Sequence, residues 1–268
     1  MKNLNIPFIK AHGNGNDVIL FLENKCADDI KNSTFIKNIC NRRTGVGADC
    51  IIIISDCDDF DFKMDYYNSD GTWETFCANG ARCAVKLLYE KKYINEKSSF
   101  VSGDGIHEAI IKDKQVSIKM KTPKFISDKI IIKGHEGYVV DSGAMHFCTR
   151  INKIYKMKNL EEIGKKIRNS KIFQPKGVNV NFFKKINNST LEVITYEKGV
   201  ERLMLSCGSG SLAALFYASK DFNFNYEVDC TSKGGNLKIS YDKDWKNVWI
   251  SGETVLLFES VVNLKHFI

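Results

Sequence analysis

Alternating apolar and polar positions predict several β-strands, and two stretches with helical spacing lie among them. The alternating segments are FKMDYYN, IHEAII and QVSIKM in the first half, and LEVITYE, NLKISY and NVWISG in the second half. The two segments compatible with a helix are ARCAVKLLYEKK and SLAALFYASK. Each half of the chain therefore combines long strands with one apolar helix, which indicates a mixed α/β fold.

The two halves share the same order of features, which indicates an internal duplication. Cys77 begins the string CANGARCA and Cys207 begins CGSGSLAA, and each string leads into a predicted helix. A strand pattern precedes each cysteine, and a turn pair follows each helix, Asp104-Gly105 in one copy and Gly234-Gly235 in the other. Several matches in the same order favour two copies of one folding unit.

The duplication predicts two domains, residues 1–122 and 123–259, because Pro123 ends the strand pattern of the first copy. Residues 260–268 are expected to return to the first domain as an additional strand. The predicted fold class is α/β in its mixed α+β form, with two pseudo-symmetric domains. We expect each domain to be a curved, mostly antiparallel sheet wrapped around a central helix, with the active site in the cleft between them.

Composition and charge exclude several other classes of protein. The chain has 268 residues, 43% hydrophobic and 26% charged, which fits a globular protein and neither a disordered nor a fibrous one. Its 39 Lys and Arg residues are scattered among 32 acidic residues without a long basic run, so we expect no nucleic-acid partner. Because no apolar run could cross a bilayer and the first residues do not resemble a signal peptide, we expect a cytoplasmic protein without membrane contact.

The cysteines contain no CxxC pair, which argues against a zinc ribbon although there are nine of them. In a reducing compartment most cysteines are small buried apolar residues, so a reactive one has to be identified by its neighbours. Cys77 and Cys207 stand out, since each begins a turn of small residues that opens a helix. Cys83, which lies further along the first helix, is expected to pack and not to react.

A helix that begins at a cysteine offers a specific chemistry. Its N-terminus carries partial positive charge and unpaired backbone N–H groups, which lower the pKa of a thiol and bind carboxylates. Inversion of an amino-acid α-carbon needs a base on one face and an acid on the other, and two equivalent thiols can supply both. The alternative is that CANG and CGSG are only tight turns that pack each helix against its sheet.

Several motifs resemble, in order and spacing, those of the diaminopimelate epimerases, a family of pyridoxal-phosphate-independent amino-acid epimerases. The motifs are KAHGNGND, RRTGVGAD, YYNSDG with CANGARC, GVNVNF, TYEKGV with SCGSG, and KGGNLKI. The resemblance extends over essentially the whole chain. It implies an isomerase that needs no cofactor and no metal, with a small amino-acid substrate from the pathway to lysine and peptidoglycan precursors.

The resemblance also implies roles for individual residues. Cys77 and Cys207 correspond to the two catalytic cysteines, one acting as thiolate base and the other as thiol acid. Substrate-binding positions correspond to Asn16, Asn68, Ala78, Asn79, Asn179, Glu197, Lys198, Gly208 and Ser209, with Ala78, Asn79, Gly208 and Ser209 holding the reacting carboxylate through backbone N–H groups. His146, in DSGAMHF, corresponds to a supporting histidine near the cysteines. Without the resemblance, Asn16 and Asn68 could be turn formers and His146 a core histidine.

The chain departs from the family pattern at four places. Lys198 replaces the arginine of a Glu-Arg pair, and an ammonium cannot form the bidentate contact that a guanidinium makes with a carboxylate. Ala144 and Met145 precede the motif histidine in place of a polar residue and proline. Leu203-Met204 replaces a Glu-Thr pair, and Cys50 follows GAD where glycine or glutamine is common.

These departures leave the cysteine chemistry intact and concern the substrate. The leading hypothesis is epimerisation of LL-2,6-diaminopimelate to the meso form. The alternatives are a racemase of histidine, lanthionine or glutamate with the same mechanism, and a non-catalytic amino-acid-binding module. The presence of both cysteines argues against the last alternative. The sequence does not determine the oligomeric state, and a homodimer is compatible with it.

Overall fold

A computed structural model describes residues 4–26, 28–113, 115–151 and 157–268. The chain forms two compact units. The first consists of the chain up to Ile118 together with Gly252–Ile268, and the second is Lys119–Ser251. Among the described residues, no helix is both long enough and apolar enough to cross a membrane.

The first unit contains two helices and the strands that surround them. Its helices are α1, Ser33–Cys40, and α2, Ala78–Glu90. Its strands are β1 (Asn5–Gly13), β2 (Asn16–Leu22), β3 (Cys50–Ser55), β4 (Phe62–Asn68), β5 (Trp73–Glu74), β6 (Lys97–Ser102), β7 (Gly105–Lys112), β8 (Gln115–Met120) and β19 (Thr254–Asn263), of which β8 continues into the second unit.

The sheet of the first unit has a mixed order of strands. β2 runs parallel to β3, β3 is antiparallel to β4, β4 runs parallel to β6, and β6 is antiparallel to β7. β1 is antiparallel to both β2 and β19, so the C-terminal strand returns to pair with the N-terminal one. The pairing of β1 with β19 extends from Asn5 opposite Asn263 to Gly13 opposite Thr254.

Helix α2 lies against one face of this sheet and α1 packs with the other face. Alternation along β3 explains this arrangement, because successive side chains of a strand point to opposite faces. Ile51 and Ile53 belong to the apolar cluster that includes Phe35 and Ile36 of α1. Ile52 points to the other face, where its side chain contacts the start of α2 at Gly80. Because almost every residue of α2 up to Leu88 is buried, α2 is the central helix of the unit.

The second unit repeats this order of pairings. Its helices are α3, Met157–Arg168, and α4, Gly208–Asp221. Its strands are β9 (Lys124–Phe125), β10 (Ile130–Ile132), β11 (His135–Asp141), β12 (Met145–Arg150), β13 (Asn179–Asn187), β14 (Thr190–Glu197), β15 (Arg202–Leu203), β16 (Glu227–Ser232), β17 (Gly235–Ser240) and β18 (Val248–Gly252). β12 and β13 are parallel, β13 and β14 antiparallel, β14 and β16 parallel, and β16 and β17 antiparallel.

The central helix of the second unit is α4, which is buried along most of its length. The opposite face of the sheet is covered by α3, whose Leu160 and Ile167 join a cluster with Phe182 and Tyr196. Gly164 of α3 permits this packing, since a Cβ atom there would lie 2.7 Å from Tyr196 Cβ. Both units therefore consist of a mixed sheet with one central helix and one outer helix, which confirms the predicted fold class.

Candidate active site

Cys77 is the N-cap of α2. Its backbone is extended, with φ −133°, and its Sγ accepts a hydrogen bond of 3.4 Å from the N–H of Gly80. Gly80 is required for the close approach of the helix end to β3, because a Cβ atom there would lie 2.6 Å from Ile52 Cδ1. The turn of small residues noted in the sequence therefore brings a partly exposed thiol against the sheet at the positive end of a helix.

Asn16 lies next to this thiol and is buried. Its Oδ1 is 3.9 Å from Cys77 Sγ and accepts a 3.5 Å hydrogen bond from Asn79 Nδ2. Its Nδ2 donates to Asp49 Oδ2 at 3.0 Å, and Asp49 is itself paired with Arg42 at 2.6 Å. Both functions of the Asn16 amide are thus used within this cluster, which fixes the orientation of its side chain.

An ion-pair network holds the loop behind Asn16. Asp17 pairs with Lys10 at 2.7 Å and with Arg42 at 2.6 Å. Burial alone would raise the pKa of Asp17, but the hydrogen bonds from Arg42 and Lys10 outweigh it and lower the pKa to about 2. The carboxylate therefore stays ionised across the physiological range and keeps the network closed.

Arg82, one turn into α2, is fully buried. Its guanidinium donates to Asn14 Oδ1 at 2.8 Å, to Asn79 Oδ1 at 2.7 Å and to Ala78 O at 3.3 Å. Burial lowers the pKa of Arg82 to about 10, so the group remains charged at neutral pH. A buried cation at this position attracts negative charge on the Cys77 sulfur.

The pKa of Cys77 is lowered, and the causes can be ranked. A hydrogen bond from the thiol of Cys50 is the largest, and burial opposes it. The backbone N–H groups of Gly80 and Asn79 and the charge of Arg82 lower the pKa further. The local structure of the first unit thus favours the thiolate form of Cys77.

Asn68 ends β4 beside this cluster. It is opposite Cys50 in the antiparallel ladder and is buried. The hydroxyl of Tyr66 donates a 2.5 Å hydrogen bond to its Oδ1. The sequence motif YYN therefore supplies both the amide and the phenol that orients it.

Cys207 is the N-cap of α4 and repeats the geometry of Cys77. Its φ is −140°, and its Sγ accepts a 3.4 Å hydrogen bond from the N–H of Gly210. A Cβ atom at Gly210 would lie 2.9 Å from Thr195 Oγ1 and still closer to the amide of Asn181. In this unit the thiol-bearing helix end therefore faces polar side chains.

These polar side chains form a chain of hydrogen bonds. His146 Nδ1 is 2.7 Å from Asn181 Oδ1, so it carries the ring proton, because an amide oxygen can only accept. His146 Nε2 then accepts from the hydroxyl of Ser209 at 3.0 Å, and Asn181 Nδ2 donates to Thr195 Oγ1 at 2.7 Å. The Ser209 oxygen, 3.7 Å from Cys207 Sγ, is left as an acceptor for the thiol proton.

The protonation state of His146 follows from its surroundings. Burial lowers its pKa to about 4, the hydrogen bond with Asn181 opposes the shift, and the nearby charge of Lys198 adds to it. His146 is therefore neutral near pH 7. A neutral ring is what the hydrogen-bond chain requires, since Nε2 can accept only when it carries no proton.

The polar ends of β13 and β14 lie near this chain. Asn179 pairs with His146 in the parallel ladder, and its Oδ1 accepts from the N–H of Lys198 at 2.9 Å. Glu197 is the last residue of β14, directly before Lys198. Met145, which differs from the family pattern, is about half exposed at the start of β12, beside Ala144.

The structure thus groups the candidate residues within each unit. Cys77, Ala78, Asn79 and Asn16 lie together, as do Cys207, Gly208, Ser209 and His146. Three features of the site were not expected from the sequence, namely Arg82, Asn181 and the effect of Cys50 on Cys77. Only Asn181 left a signal, because it lies two residues after Asn179 and therefore on the same face of the strand. The described part of the chain contains no cluster of three or more His, Cys, Asp or Glu residues suited to a metal ion.

Comparisons with known proteins agree with the motifs. A family model described as Diaminopimelate epimerase matches residues 8–126. The diaminopimelate epimerase of Aquifex aeolicus is 32% identical over 95% of this chain and 96% of its own length. The diaminopimelate epimerase of Archaeoglobus fulgidus is 32% identical over 97% of this chain and 98% of its own length.

Solved structures share the fold. A hydroxyproline epimerase from Agrobacterium vitis, with trans-4-hydroxy-L-proline bound, superposes with a TM-score of 0.77 and covers 98% of this chain and 94% of its own. Its 13% sequence identity makes this a likeness of fold alone. The full-length similarity to the curated relatives confirms the resemblance inferred from the motifs, and the chain belongs to the diaminopimelate epimerase family.

Proposed function

We propose that this protein inverts the α-carbon of an amino acid, with Cys77 and Cys207 as its acid and base and without a bound cofactor. The observation that carries the proposal is the repeated geometry of the two thiols. Each caps a helix and accepts a 3.4 Å hydrogen bond from the third helical residue, Gly80 or Gly210. Membership of an epimerase family supports the same chemistry.

In the proposed reaction one cysteine removes the α-proton as a thiolate, and the other delivers a proton to the opposite face as a thiol. The incoming stereoisomer decides which cysteine has which task. The reaction needs an anion site for the carboxylate, because negative charge spreads onto it as the α-proton leaves. We assign this site to the backbone N–H groups at the two helix starts, Ala78 and Asn79 in one unit and Gly208 and Ser209 in the other.

We propose LL-2,6-diaminopimelate as the substrate and its meso form as the product. The relatives that match nearly the whole chain are named diaminopimelate epimerases, which supports this choice. The far end of a diamino diacid carries an ammonium and a carboxylate. Glu197 can pair with the ammonium and Lys198 with the carboxylate. The amides of Asn16, Asn68 and Asn179 are proposed to complete the binding positions.

His146 is proposed to support Cys207 and not to touch the substrate. It is fully buried and is linked to the thiol through the hydroxyl of Ser209. A neutral imidazole accepts the Ser209 proton, so the serine oxygen can receive the hydrogen bond of the thiol. Through this chain His146 orients the acid form of Cys207.

We propose that the two units are the duplicated domains, with the boundary in the segment from Lys119 to Pro123. The proposed binding partner is a small amino acid, because the proposed reaction inverts an amino-acid α-carbon. A cytoplasmic location, a homodimeric assembly and the absence of a nucleic-acid partner are further proposals. Light scattering on the purified protein tests the assembly directly.

The experiment that tests the function uses deuterated water. The protein is incubated with LL-diaminopimelate and with a panel of other L-amino acids, and the products are examined by mass spectrometry and chiral chromatography. We expect meso-diaminopimelate that carries one deuterium at the inverted carbon. If the protein inverts another amino acid and not diaminopimelate, the proposed reaction stands and the proposed substrate is wrong. Absence of α-proton exchange with every amino acid would refute the function.

A further inference from the structure

A buried pair of Asp104 and His107 lies in the hairpin between β6 and β7. His107 Nε2 is 2.8 Å from Asp104 Oδ1, and the two side chains are 1% and 7% exposed. A carboxylate can only accept, so Nε2 carries the hydrogen of this bond and the carboxylate fixes the rotation of the ring. The second oxygen of Asp104 is buried and has no hydrogen-bond partner in the described part of the chain. Burial of a carboxylate in such a setting is costly, so the pair needs an explanation other than packing.

The imidazole of His107 belongs to a stack of rings that includes Phe76, the residue directly before Cys77. The rings of Phe76 and His107 are 4.1 Å apart between centroids and nearly parallel, at 8°. Phe100, opposite His107 in the ladder, lies 5.2 Å from it at 21°. Phe62 lies 4.7 Å from Phe100 at 9°, and all four rings are buried. Since Phe76 is bonded directly to Cys77, the position of its ring constrains the backbone from which the thiol extends.

Two further contacts join the same hairpin to the chain before Cys77. The hydroxyl of Ser102 donates to Thr75 O at 2.8 Å. A Cβ atom at Gly103 would lie 2.5 Å from Cζ2 of Trp73, so the turn packs closely against that side chain. The chain just before Cys77 is therefore held by successive residues of one turn.

The hairpin between β16 and β17 is the counterpart of this hairpin in the second unit. Each hairpin closes with a serine opposite a glycine, Ser102 with Gly105 and Ser232 with Gly235. Counted from the serine, Gly234 takes the place of Asp104. Leu237, which is 1% exposed, takes the place of His107. The duplicated unit therefore forms the same hairpin with a buried apolar side chain where the first unit has the polar pair.

This difference between the hairpins accompanies a difference in the residue before each cysteine. That residue is Phe76 in the first unit and Ser206 in the second. Since a buried polar pair adds little stability compared with apolar residues of similar size, stability alone does not explain the pair in the first unit. The pair occurs where the cysteine follows an aromatic ring, which connects it with the placement of Cys77.

We propose that Asp104 and His107 are positioning residues for Cys77, in which the carboxylate orients the imidazole and the imidazole holds the ring of Phe76. Neither residue touches the substrate. The catalytic meaning rests on the proposed function, because a proton carrier that is displaced by about 1 Å loses about 10²-fold in rate. The placement of Cys77 can also be measured without substrate, since its Sγ accepts the N–H of Gly80 and this contact depends on geometry.

The test compares four variants. The double variant Asp104→Gly with His107→Leu installs the residues of the second unit and removes both partners together, so no buried charge is left unpaired. His107→Gln keeps a donor for Asp104 and removes the stacked ring. Asp104→Asn is the conservative variant, because its amide oxygen still accepts from Nε2. Ile111→Val is the matched control, since it removes one methylene from the same buried face of β7.

The first measurement is alkylation by iodoacetamide at a fixed pH, with the rates at Cys77 and Cys207 read by peptide mass mapping in the same sample. The N–H of Gly80 stabilises negative charge on the Cys77 sulfur, so a displaced Cys77 reacts more slowly. We expect the double variant and His107→Gln to react about fivefold more slowly at Cys77, as for the loss of one hydrogen bond, and at the wild-type rate at Cys207. Asp104→Asn and Ile111→Val should keep the wild-type ratio of the two rates.

An unchanged or increased ratio of the Cys77 rate to the Cys207 rate in the double variant would overturn the proposal. The same decrease in Ile111→Val would also overturn it, because the effect would then come from general loss of packing. If the double variant does not fold, His107→Gln decides by the same criteria.

The second measurement separates kcat from KM for the amino acid that the protein inverts. We expect about tenfold lower kcat in the double variant with KM within about twofold of the wild type, because the pair acts on the proton carrier and not on substrate binding. A change in KM alone would contradict the positioning role. A protein that inverts no amino acid but shows the slower alkylation of Cys77 would refute the proposed function and leave the positioning role intact.

Discussion

The starts of α2 and α4 have the same backbone and different surroundings. Both are capped by a cysteine with extended φ, and both place a glycine at the third helical position. The thiol of Cys77 receives hydrogen bonds and lies near the buried cation of Arg82. The thiol of Cys207 lies beside the hydroxyl of Ser209, which directs its proton to His146, whereas the acceptor beside Cys77 is the amide oxygen of Asn16.

This difference teaches that a repeated backbone geometry can hold two thiols in different chemical surroundings. The surroundings of Cys77 include the buried cation of Arg82, which lowers the pKa of the thiol, and those of Cys207 include a hydroxyl and a neutral histidine. An inversion reaction needs one base and one acid at the same time.

The largest expected effect comes from removing either thiol. Cys77→Ala and Cys207→Ala should each lower full inversion by about 10⁴-fold, because each removes one of the two proposed proton carriers. Cys77→Ser and Cys207→Ser should retain slow exchange of the α-proton in deuterated water, catalysed by the surviving thiolate. Chiral analysis and mass shift are measured on the same samples. Wild-type inversion in either alanine variant would exclude that cysteine from the pair.

Substitution of Gly210 and Gly80 by alanine compares how strongly stability depends on the polar surroundings of Cys207 and on the aliphatic surroundings of Cys77. Gly210→Ala should be the more damaging, because its Cβ meets Thr195 and Asn181 and breaks their hydrogen bonds. We expect a loss of about 3 kcal/mol in the free energy of unfolding, measured by denaturant titration.

Gly80→Ala should cost less, about 1 kcal/mol, since its Cβ meets the movable end of Ile52. The double variant Gly80→Ala with Ile52→Val should recover part of this loss, because the shorter side chain removes Cδ1. A larger loss in Gly80→Ala than in Gly210→Ala would contradict the comparison.

The pH dependence of stability should distinguish the second unit from the first. Burial in the folded state lowers the pKa of His146 from 6.5 to about 4. As the pH falls, the unfolded chain therefore binds a proton at this residue before the folded chain does. Its stabilising effect is complete above pH 6.5 and is lost as the pH falls toward 4. The loss is on the order of 3 kcal/mol.

His146→Gln should flatten the dependence of the melting temperature on pH in this window. His135→Gln is the matched control. His135 is only partly buried, and burial is the cause that lowers its pKa. A His146→Gln variant that still loses stability as steeply as the wild type would show that another group is responsible.

The smallest expected effect concerns Lys198. Lys198→Arg should raise kcat/KM for diaminopimelate several-fold if the residue binds the distal carboxylate, because a guanidinium adds a second aligned hydrogen bond of about 1 kcal/mol. The control is a monocarboxylic amino acid assayed with the same two proteins. Equal changes for both substrates would show that Lys198 does not bind the far end.

Several strands and the two central helices of this protein could be predicted from residues that are neighbours in the sequence. The period of two in FKMDYYN and LEVITYE corresponds to β4 and β14, and the small residues after each cysteine correspond to the first turns of α2 and α4. These features depend on neighbours in the chain. The repeated order of such features was enough to indicate two similar units.

The surroundings of each thiol were decided only by the tertiary structure. Cys50 and Arg82 lower the pKa of Cys77, and Asn181 orients His146, because strand register and helix docking bring distant segments into contact. Register depends on the whole set of side chains that pack on both faces of the sheet, and a local pattern does not contain that information. The sequence by itself therefore indicated the two cysteines that begin helices, and the fold decided which charges and hydrogen-bonding groups surround each of them.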